Sequence, residues 1–192
     1  RVEELVAYCQ EIACGAPRLP FYFYHIPAFN GVYLSMTEFL EAVDGRISNF
    51  AGIKYTYENL YEYNQCRLYK DGKFDMLHGQ DETLLPCLAM GGARGGIGGT
   101  TNYNGRTLVG ILDAWKSGDL ECARDLQNFA QQVINVICHY RGNIVAGKRI
   151  MKLLGLDLGK NRIPFRNMTE EEESTMRAEL EEIHFFDRCN KF

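Results

Sequence analysis

The chain has 192 residues, of which 46% are hydrophobic and 24% charged, values typical of a folded globular domain and not of a disordered or low-complexity chain. Its 21 basic and 25 acidic residues give a formal net charge of −4, which argues against nucleic acid as a partner, because a phosphate-binding surface needs a concentrated basic face. No apolar run approaches the ~18 residues that cross a bilayer, so no membrane association is expected.

The chain begins inside the pattern of an amphipathic helix. Apolar residues recur at helical spacing over residues 2–14, and the pattern stops at Gly15. No initiator Met or capping residue precedes it. We therefore expect the 192 residues to be part of a longer protein.

Short apolar runs then alternate with helical patterns, an alternation that predicts a parallel α/β sheet with helices outside it. The predicted strands cover 21–26, 49–56, 74–78 and 93–100, and the predicted helices cover 2–14, 36–47, 57–70, 81–90, 105–116, 119–140, 143–154 and 170–185. Four such units suit either half of an eight-stranded barrel or a small open sheet. In both architectures function lies at the carboxyl ends of the strands.

The last long helical pattern opens on the acidic run 170–173. Thr169 can cap this helix, and Glu172, three residues later, can complete a capping box. Acidic side chains also favour the first turn of a helix. The run therefore indicates a helix start and not a binding surface.

The seven cysteines are odd in number and include no Cys-x-x-Cys pair. We expect buried free thiols in a reduced, cytoplasmic compartment, and neither a disulfide framework nor a zinc site. The cysteines are Cys9, Cys14, Cys66, Cys87, Cys122, Cys138 and Cys189.

Lys54 follows the apolar run 50–53 and so lies on or at the end of a buried strand. Lysine is rarely buried without a partner, and desolvation favours the neutral amine that forms Schiff bases. The alternative is a solvated lysine at the rim of the sheet.

Other polar residues also follow the predicted strands. Tyr24 ends the first strand and can relay a proton, or it can be an aromatic plug. Asp81 and Glu82 follow Gly79 and can hold sugar hydroxyls, or they can cap the next helix. Together these residues predict that the polar chemistry gathers at one edge of the sheet.

The glycine-rich run 91–100 is not a phosphate-binding loop, since it lacks both the Gly-Lys-Ser/Thr ending and a Gly-x-Gly-x-x-Gly pattern. Its glycines more simply allow close backbone approach. His25, His139 and His184 have no patterned partners and are expected on the surface or satisfied in the core.

Four ordered segments resemble the pyruvate-dependent class I aldolases, and more narrowly the N-acetylneuraminate lyase (sialic acid aldolase) family. They read FYFYHIPA at 21–28, GIKYT at 52–56, HGQDE at 78–82 and GIGGTTNY at 96–103. The resemblance implies a TIM (β/α)8-barrel fold and retro-aldol cleavage of N-acetylneuraminate to N-acetylmannosamine and pyruvate. It also implies a homotetramer with small-molecule substrates, and no metal or organic cofactor.

The resemblance assigns roles to individual residues. It makes Lys54 the Schiff-base lysine and Tyr24 the proton donor. It implies substrate binding at Thr56, Gly79, Asp81, Glu82 and Gly99, the last standing where the family usually has a serine.

The resemblance also implies that about four strands and the turn that holds the pyruvate carboxylate are missing. We therefore expect residues 1–116 to be the C-terminal half of a barrel of roughly 300 residues, followed by a helical extension at 117–192.

Two alternatives remain. One is a dihydrodipicolinate synthase-like aldolase, although that family has an Arg shortly after Tyr-x-x-Pro, and in this chain the first Arg after that segment is Arg46. The other is a half-barrel that has lost catalysis and acts as a binding or assembly module.

Overall fold

The computed structural model describes residues 1–92 and 95–191, which divide into two compact units. The first unit comprises residues 1–80 and 86–97, and the second comprises residues 81–85 and those from 98 onward. The predicted boundary between residues 116 and 117 separates a barrel from an extension. This division into compact units does not test that boundary, and it stays a prediction.

Helices and strands alternate in the first unit, and in the described residues of the second the regular elements are helices. The first carries α1 (Val2–Cys14), β1 (Phe21–His25), α2 (Pro27–Asn30), α3 (Met36–Val43), β2 (Phe50–Tyr55), α4 (Leu60–Leu68) and β3 (Asp75–His78). The short helix α5 (Leu84–Ala89) has residues in both units, and the second unit carries α6 (Thr101–Ser117), α7 (Leu120–His139), α8 (Lys148–Leu153), α9 (Glu170–Glu182) and α10 (Phe185–Arg188). The predicted elements are thus present, with shifted ends and one exception.

The exception is the predicted strand at 93–100. In its described part, residues 95–100, the only pairing is an isolated parallel bridge between Gly96 and His78. Glycine has no side chain to pack on a sheet, so a run this rich in glycine has little β propensity. The described sheet has three parallel strands in the order β1-β2-β3, and residues 93 and 94 lie outside the described part.

A bulge between β1 and β2 sets the register of the sheet. Phe21 pairs with Phe50 but Tyr22 pairs with Gly52, so β2 has one extra residue at this point. Beyond the bulge Tyr24 pairs with Lys54. Paired residues of parallel strands share a face, and the bulge therefore brings these two side chains to the same side.

The core of the first unit lies between one face of the sheet and helices α1, α3 and α4. Ile53 and Tyr55 of β2 are fully buried in it, with Phe39 from α3 and Tyr63 from α4. On the other face, Tyr22 and Tyr24 are exposed. The sheet thus has an apolar face under its helices and an open face that carries tyrosine and lysine.

In the second unit α6 packs along α7, and α9 and α10 close the core. Large side chains from these helices are fully buried, among them Tyr103, Met176 and Phe185. The predicted helix 170–185 instead ends at Glu182, and His184, with a left-handed backbone (φ 57°), precedes the first residue of α10.

All seven cysteines are free thiols, as predicted, and Cys9, Cys66, Cys87 and Cys189 are buried. Burial raises the pKa of Cys9 to about 11 and that of Cys66 to about 12, which makes these thiols unreactive. The predicted burial of the other three is wrong, because they lie on solvent-facing sides of their helices. These are Cys14, Cys122 and Cys138.

Two further expectations concern histidines and membranes. His25 is buried, whereas His139 and His184 are exposed. Across residues 1–92 and 95–191, the helices are all too short or too polar to traverse a lipid bilayer.

Candidate active site

Lys54 and Tyr24 meet on the open face of the sheet. The Lys54 Nζ lies 3.9 Å from the centroid of the Tyr24 ring, a cation–π distance. Lys54 is half-buried and Tyr24 is 44% exposed, so both can be reached from this face. The two residues to which the sequence assigns chemistry are therefore neighbours.

The backbone around Lys54 is held on both sides. β2 is the central strand, with Lys54 paired to Tyr24 on β1 and to Leu77 on β3. Two residues earlier, a Cβ on Gly52 would overlap the Asp75 carbonyl, so only glycine allows this close approach of β2 to β3. A lysine on a central, tightly paired strand has a fixed starting direction for its side chain.

Thr56 and Gly79 lie just past the ends of their strands. The Thr56 amide donates to the His25 carbonyl at 2.8 Å, and the Gly79 amide donates to the Tyr55 carbonyl at 2.8 Å. The Thr56 Oγ1 is buried and has no hydrogen-bond partner among the described residues. A buried hydroxyl without a partner is costly and is available to a ligand.

Tyr55, His25 and Glu62 form a polar cluster on the helix side of the sheet. The Tyr55 hydroxyl donates to Glu62 Oε2 at 2.8 Å, and the Tyr55 and His25 rings lie 5.0 Å apart. Burial, then the Glu62 carboxylate, raises the pKa of Tyr55, while burial lowers that of His25. This cluster packs against β2 on the side opposite Lys54, and burial lowers the pKa of His25 although the Glu62 charge partly opposes it.

Asp81 belongs to the second unit and is almost fully buried. Its Oδ2 accepts from the Thr100 amide at 2.9 Å and from the Thr100 hydroxyl at 2.6 Å. A Cβ on Gly98 would overlap the Asp81 carboxylate, so glycine is required there. Sequence reasoning missed Thr100, although it directly follows the glycines that resemble the family motif.

Gly99 is the residue at which, by the sequence resemblance, a glycine stands in place of a substrate-binding serine. A Cβ at Gly99 would lie 2.5 Å from Asn143 Nδ2, closer than any real contact. Asn143 is held in turn by the Tyr103 hydroxyl, which donates to its Oδ1 at 2.8 Å. Asn143 therefore takes the space that a side chain at residue 99 would need.

Each unit thus carries its own part of the predicted set. The first unit brings together Lys54, Tyr24, Thr56 and Gly79 at the carboxyl ends of the strands. Asp81, Glu82 and Gly99 lie in the second. Over residues 1–92 and 95–191, His, Cys, Asp and Glu form no group of three or more that could hold a metal ion.

The sequence matches the family model described as "Dihydrodipicolinate synthetase family" over residues 1–183. It is 34% identical over 185 residues to the N-acetylneuraminate lyase of Rattus norvegicus. The aligned region covers 95% of this chain and 58% of that relative. It is also 34% identical to the N-acetylneuraminate lyase of Homo sapiens, over 94% of this chain and 57% of that protein. The chain therefore spans a little over half the length of these relatives.

Two solved structures of N-acetylneuraminate lyases are similar to this chain in both fold and sequence. The N-acetylneuraminate lyase of Proteus mirabilis superposes with a TM-score of 0.90 at 32% identity, covering 96% of this chain and 62% of its own. The N-acetylneuraminate lyase (sialic acid aldolase) of Aliivibrio salmonicida also gives 0.90, at 36% identity, with 96% and 60% covered. Both similarities extend over nearly all of the described fold.

Proposed function

The chain belongs to the dihydrodipicolinate synthetase family, and on that premise we propose that it carries the Schiff-base lysine of an N-acetylneuraminate lyase. The proposed reaction cleaves N-acetylneuraminate to N-acetylmannosamine and pyruvate. The observation that carries the proposal is the contact between Lys54 and Tyr24 on the open face of the sheet. The Lys54 Nζ lies 3.9 Å from the centroid of the Tyr24 ring. The identity to lyases supports this choice of substrate.

The proposed chemistry begins at Lys54. Its amine adds to the C2 ketone of open-chain N-acetylneuraminate, and water leaves to form an iminium. The C4 hydroxyl then loses its proton, the C3–C4 bond breaks, and its electron pair moves toward the iminium nitrogen to give an enamine. N-acetylmannosamine departs as the aldehyde, a proton adds to C3, and water hydrolyses the iminium to pyruvate and free amine.

Tyr24 relays the proton that leaves the C4 hydroxyl, with the substrate carboxylate assisting. Its position at the paired register beside Lys54 supports this role. Electron withdrawal is supplied by the protonated lysine imine, and the proposal assigns no step to a metal or an organic cofactor.

The sugar is held by Thr56, Gly79, Asp81, Glu82 and Gly99 in this proposal. The buried Thr56 hydroxyl, unpartnered within the described part of the chain, supports a contact to a sugar hydroxyl. The double hydrogen bond from Thr100 to Asp81 supports a preset carboxylate. A preset group loses less entropy when it binds.

The proposed architecture is the second half of a (β/α)8 barrel at residues 1–116, with a helical extension at 117–192. The parallel strand order and the open sheet face favour it. So does the share of the relatives that the chain covers, 57–58%. A cytoplasmic homotetramer with small-molecule substrates completes the proposal.

Covalent trapping tests the proposal in the intact protein. Pyruvate with borohydride should leave a reduced adduct on Lys54, because borohydride reduces the imine to a stable amine. Peptide mass spectrometry should find the added mass on the peptide that contains Lys54. Lys54→Ala should remove the adduct and all sialic acid cleavage.

Lys73→Ala is the matched control, since Lys73 is a surface lysine that pairs with Asp44. This variant should keep both the adduct and the activity. A wild-type protein that stays unlabelled by pyruvate and borohydride would contradict the proposed function.

A further inference from the structure

The turn after β3 has one backbone carbonyl that lacks its usual α-helical donor, because of a proline four residues later. Residues 81–83 form a single 3₁₀ turn that continues into α5. In an α-helical continuation, the Glu82 carbonyl would accept from the amide of residue 86. Residue 86 is proline and has no N–H, so this carbonyl needs a donor from elsewhere.

Gln127 of α7 supplies the first outside contact to this turn. Its Nε2 donates to the Asp81 carbonyl at 3.0 Å, and its Oε1 accepts from the Leu85 amide at 2.8 Å. The side-chain amide therefore lies between the two backbone groups that a helical turn would join directly. Gln127 is 4% exposed, so both hydrogen bonds are shielded from water.

Gln131 supplies the second contact, one helical turn further along α7. Its Nε2 donates to the Glu82 carbonyl at 2.8 Å, the carbonyl that Pro86 leaves without a helical donor. Residues four apart lie on the same face of a helix. One face of α7 thus holds the carbonyls of two consecutive residues, Asp81 and Glu82.

We infer that Gln127 and Gln131 are positioning residues for the sugar-holding turn Asp81–Glu82. The inference rests on the proposed lyase function. Fixing two successive carbonyls fixes the peptide planes, and with them the directions in which the Asp81 and Glu82 side chains leave the backbone. Thr100 also fixes the Asp81 carboxylate, and Gln131 fixes the Glu82 backbone carbonyl.

Loss of these contacts should weaken binding of the sugar portion of the substrate and leave the chemistry at Lys54 unchanged. Pyruvate engages the lysine, while the sugar portion of the substrate is proposed to engage the turn. Loss of the Gln131 contact should therefore raise KM for N-acetylneuraminate and leave the pyruvate adduct intact. One lost hydrogen bond corresponds to about a three- to tenfold change.

The experiment compares Gln131→Ala with Gln132→Ala in the intact protein. Gln132 is the adjacent exposed glutamine of the same helix, so the two variants make the same substitution one position apart. Gln127→Met removes the buried contacts at nearly constant side-chain volume. KM and kcat for sialic acid cleavage are measured beside the rate of borohydride-trapped pyruvate labelling at Lys54.

We expect a raised KM in Gln131→Ala, a larger rise in Gln127→Met, and wild-type values in Gln132→Ala. Pyruvate labelling should stay at the wild-type rate in all three. If Gln131→Ala keeps the wild-type KM while labelling is intact, the positioning role is wrong and the proposed function stands. If kcat and the rate of pyruvate labelling fall along with the rise in KM, the role is general stability, which also overturns the inference.

A wild-type protein that pyruvate and borohydride do not label leads to a different conclusion. It contradicts the proposed lyase, and the positioning role falls with it. The two failures are therefore distinguishable by the wild-type labelling alone. Because the Gln131 side chain is exposed, Gln131→Ala decides the inference even where Gln127→Met does not fold.

Discussion

At the scale of single residues, Thr56 and Gly79 show how little room the candidate site leaves. A Cβ at Gly79 would overlap the Thr56 hydroxyl and lie 3.1 Å from the Tyr55 carbonyl. Thr56 is β-branched, so its side chain has few rotamers into which it can withdraw. The size of residue 79 therefore controls the position of the Thr56 hydroxyl.

Gly79→Ala should destabilise the protein by about 1–3 kcal/mol, the usual cost of overpacking a tight site. Chemical denaturation of the wild type and the variant measures the change. Gly95→Ala is the control, because a Cβ there meets nothing within 4 Å, and its stability should remain within about 1 kcal/mol of the wild type. Equal stability of Gly79→Ala and the wild type would show that Thr56 moves freely.

At the scale of elements, the start of α9 follows the sequence closely. The Thr169 hydroxyl accepts from the Glu172 amide at 3.1 Å, and the Glu172 carboxylate accepts from the Thr169 amide at 2.8 Å, which confirms the predicted capping box. Arg141 and Arg166 also bind Glu172. The Arg141 hydrogen bond, with the Thr169 and Arg166 hydrogen bonds, holds the pKa of Glu172 well below its ordinary value.

Thr169→Ala should cost about 1 kcal/mol of stability, because it removes the acceptor for an otherwise unpaired helix amide. Thermal unfolding measures the loss. Thr175→Ala, in the middle of the same helix, serves for comparison, since its hydroxyl only bonds back to the Glu171 carbonyl. A loss as large in Thr175→Ala as in Thr169→Ala would assign the effect to the helix interior and not to the cap.

At the scale of the whole molecule, the buried imidazole of His25 should make stability depend on pH. Burial lowers the pKa of His25 in the folded state, and the Glu62 charge only partly opposes this. In the unfolded chain the imidazole titrates at its ordinary pKa of about 6.5. The contribution is therefore complete above about pH 6.5 and is lost as the pH falls below it, because only the unfolded state takes up the proton.

The free energy of unfolding should accordingly decrease as the pH falls below about 6.5, by up to about 1.4 kcal/mol per pH unit from this group. His25→Phe should flatten the decrease over that interval, as measured by urea unfolding at several pH values. His184→Gln, at an exposed histidine, should retain the wild-type slope. An unchanged slope in His25→Phe would assign the dependence to other groups.

Much of the fold and part of the candidate site follow from local patterns. Period and capping residues locate α1, α7 and α9 within one to three residues, because helix periodicity and caps act over a few neighbouring positions. The same holds for the three described strands. Lys54 and Tyr24 are recognisable because each follows an apolar run at a strand end.

Contacts between distant residues are not visible in such patterns. The extra residue in β2 pairs Tyr24 with Lys54, and no turn or propensity signals it. The predicted strand at 93–100 reduces to one bridge in its described part, because the glycines that permit close backbone approach contribute little to strand pairing. The exposure of Cys14 likewise depends on which helix face the rest of the unit covers.

The sequence by itself determined the alternation of strands and helices, the start of α9 at its capping box, and the residue types at the strand ends. Only the tertiary structure decided that Thr100 holds Asp81, that Asn143 fills the space beside Gly99, and that α7 holds the turn after β3. The physical reason is the separation along the chain over which each kind of interaction acts. Propensity and capping act over a few residues, whereas Gln127 meets Asp81 across 46 positions of chain, a contact made only when packing brings the two segments together.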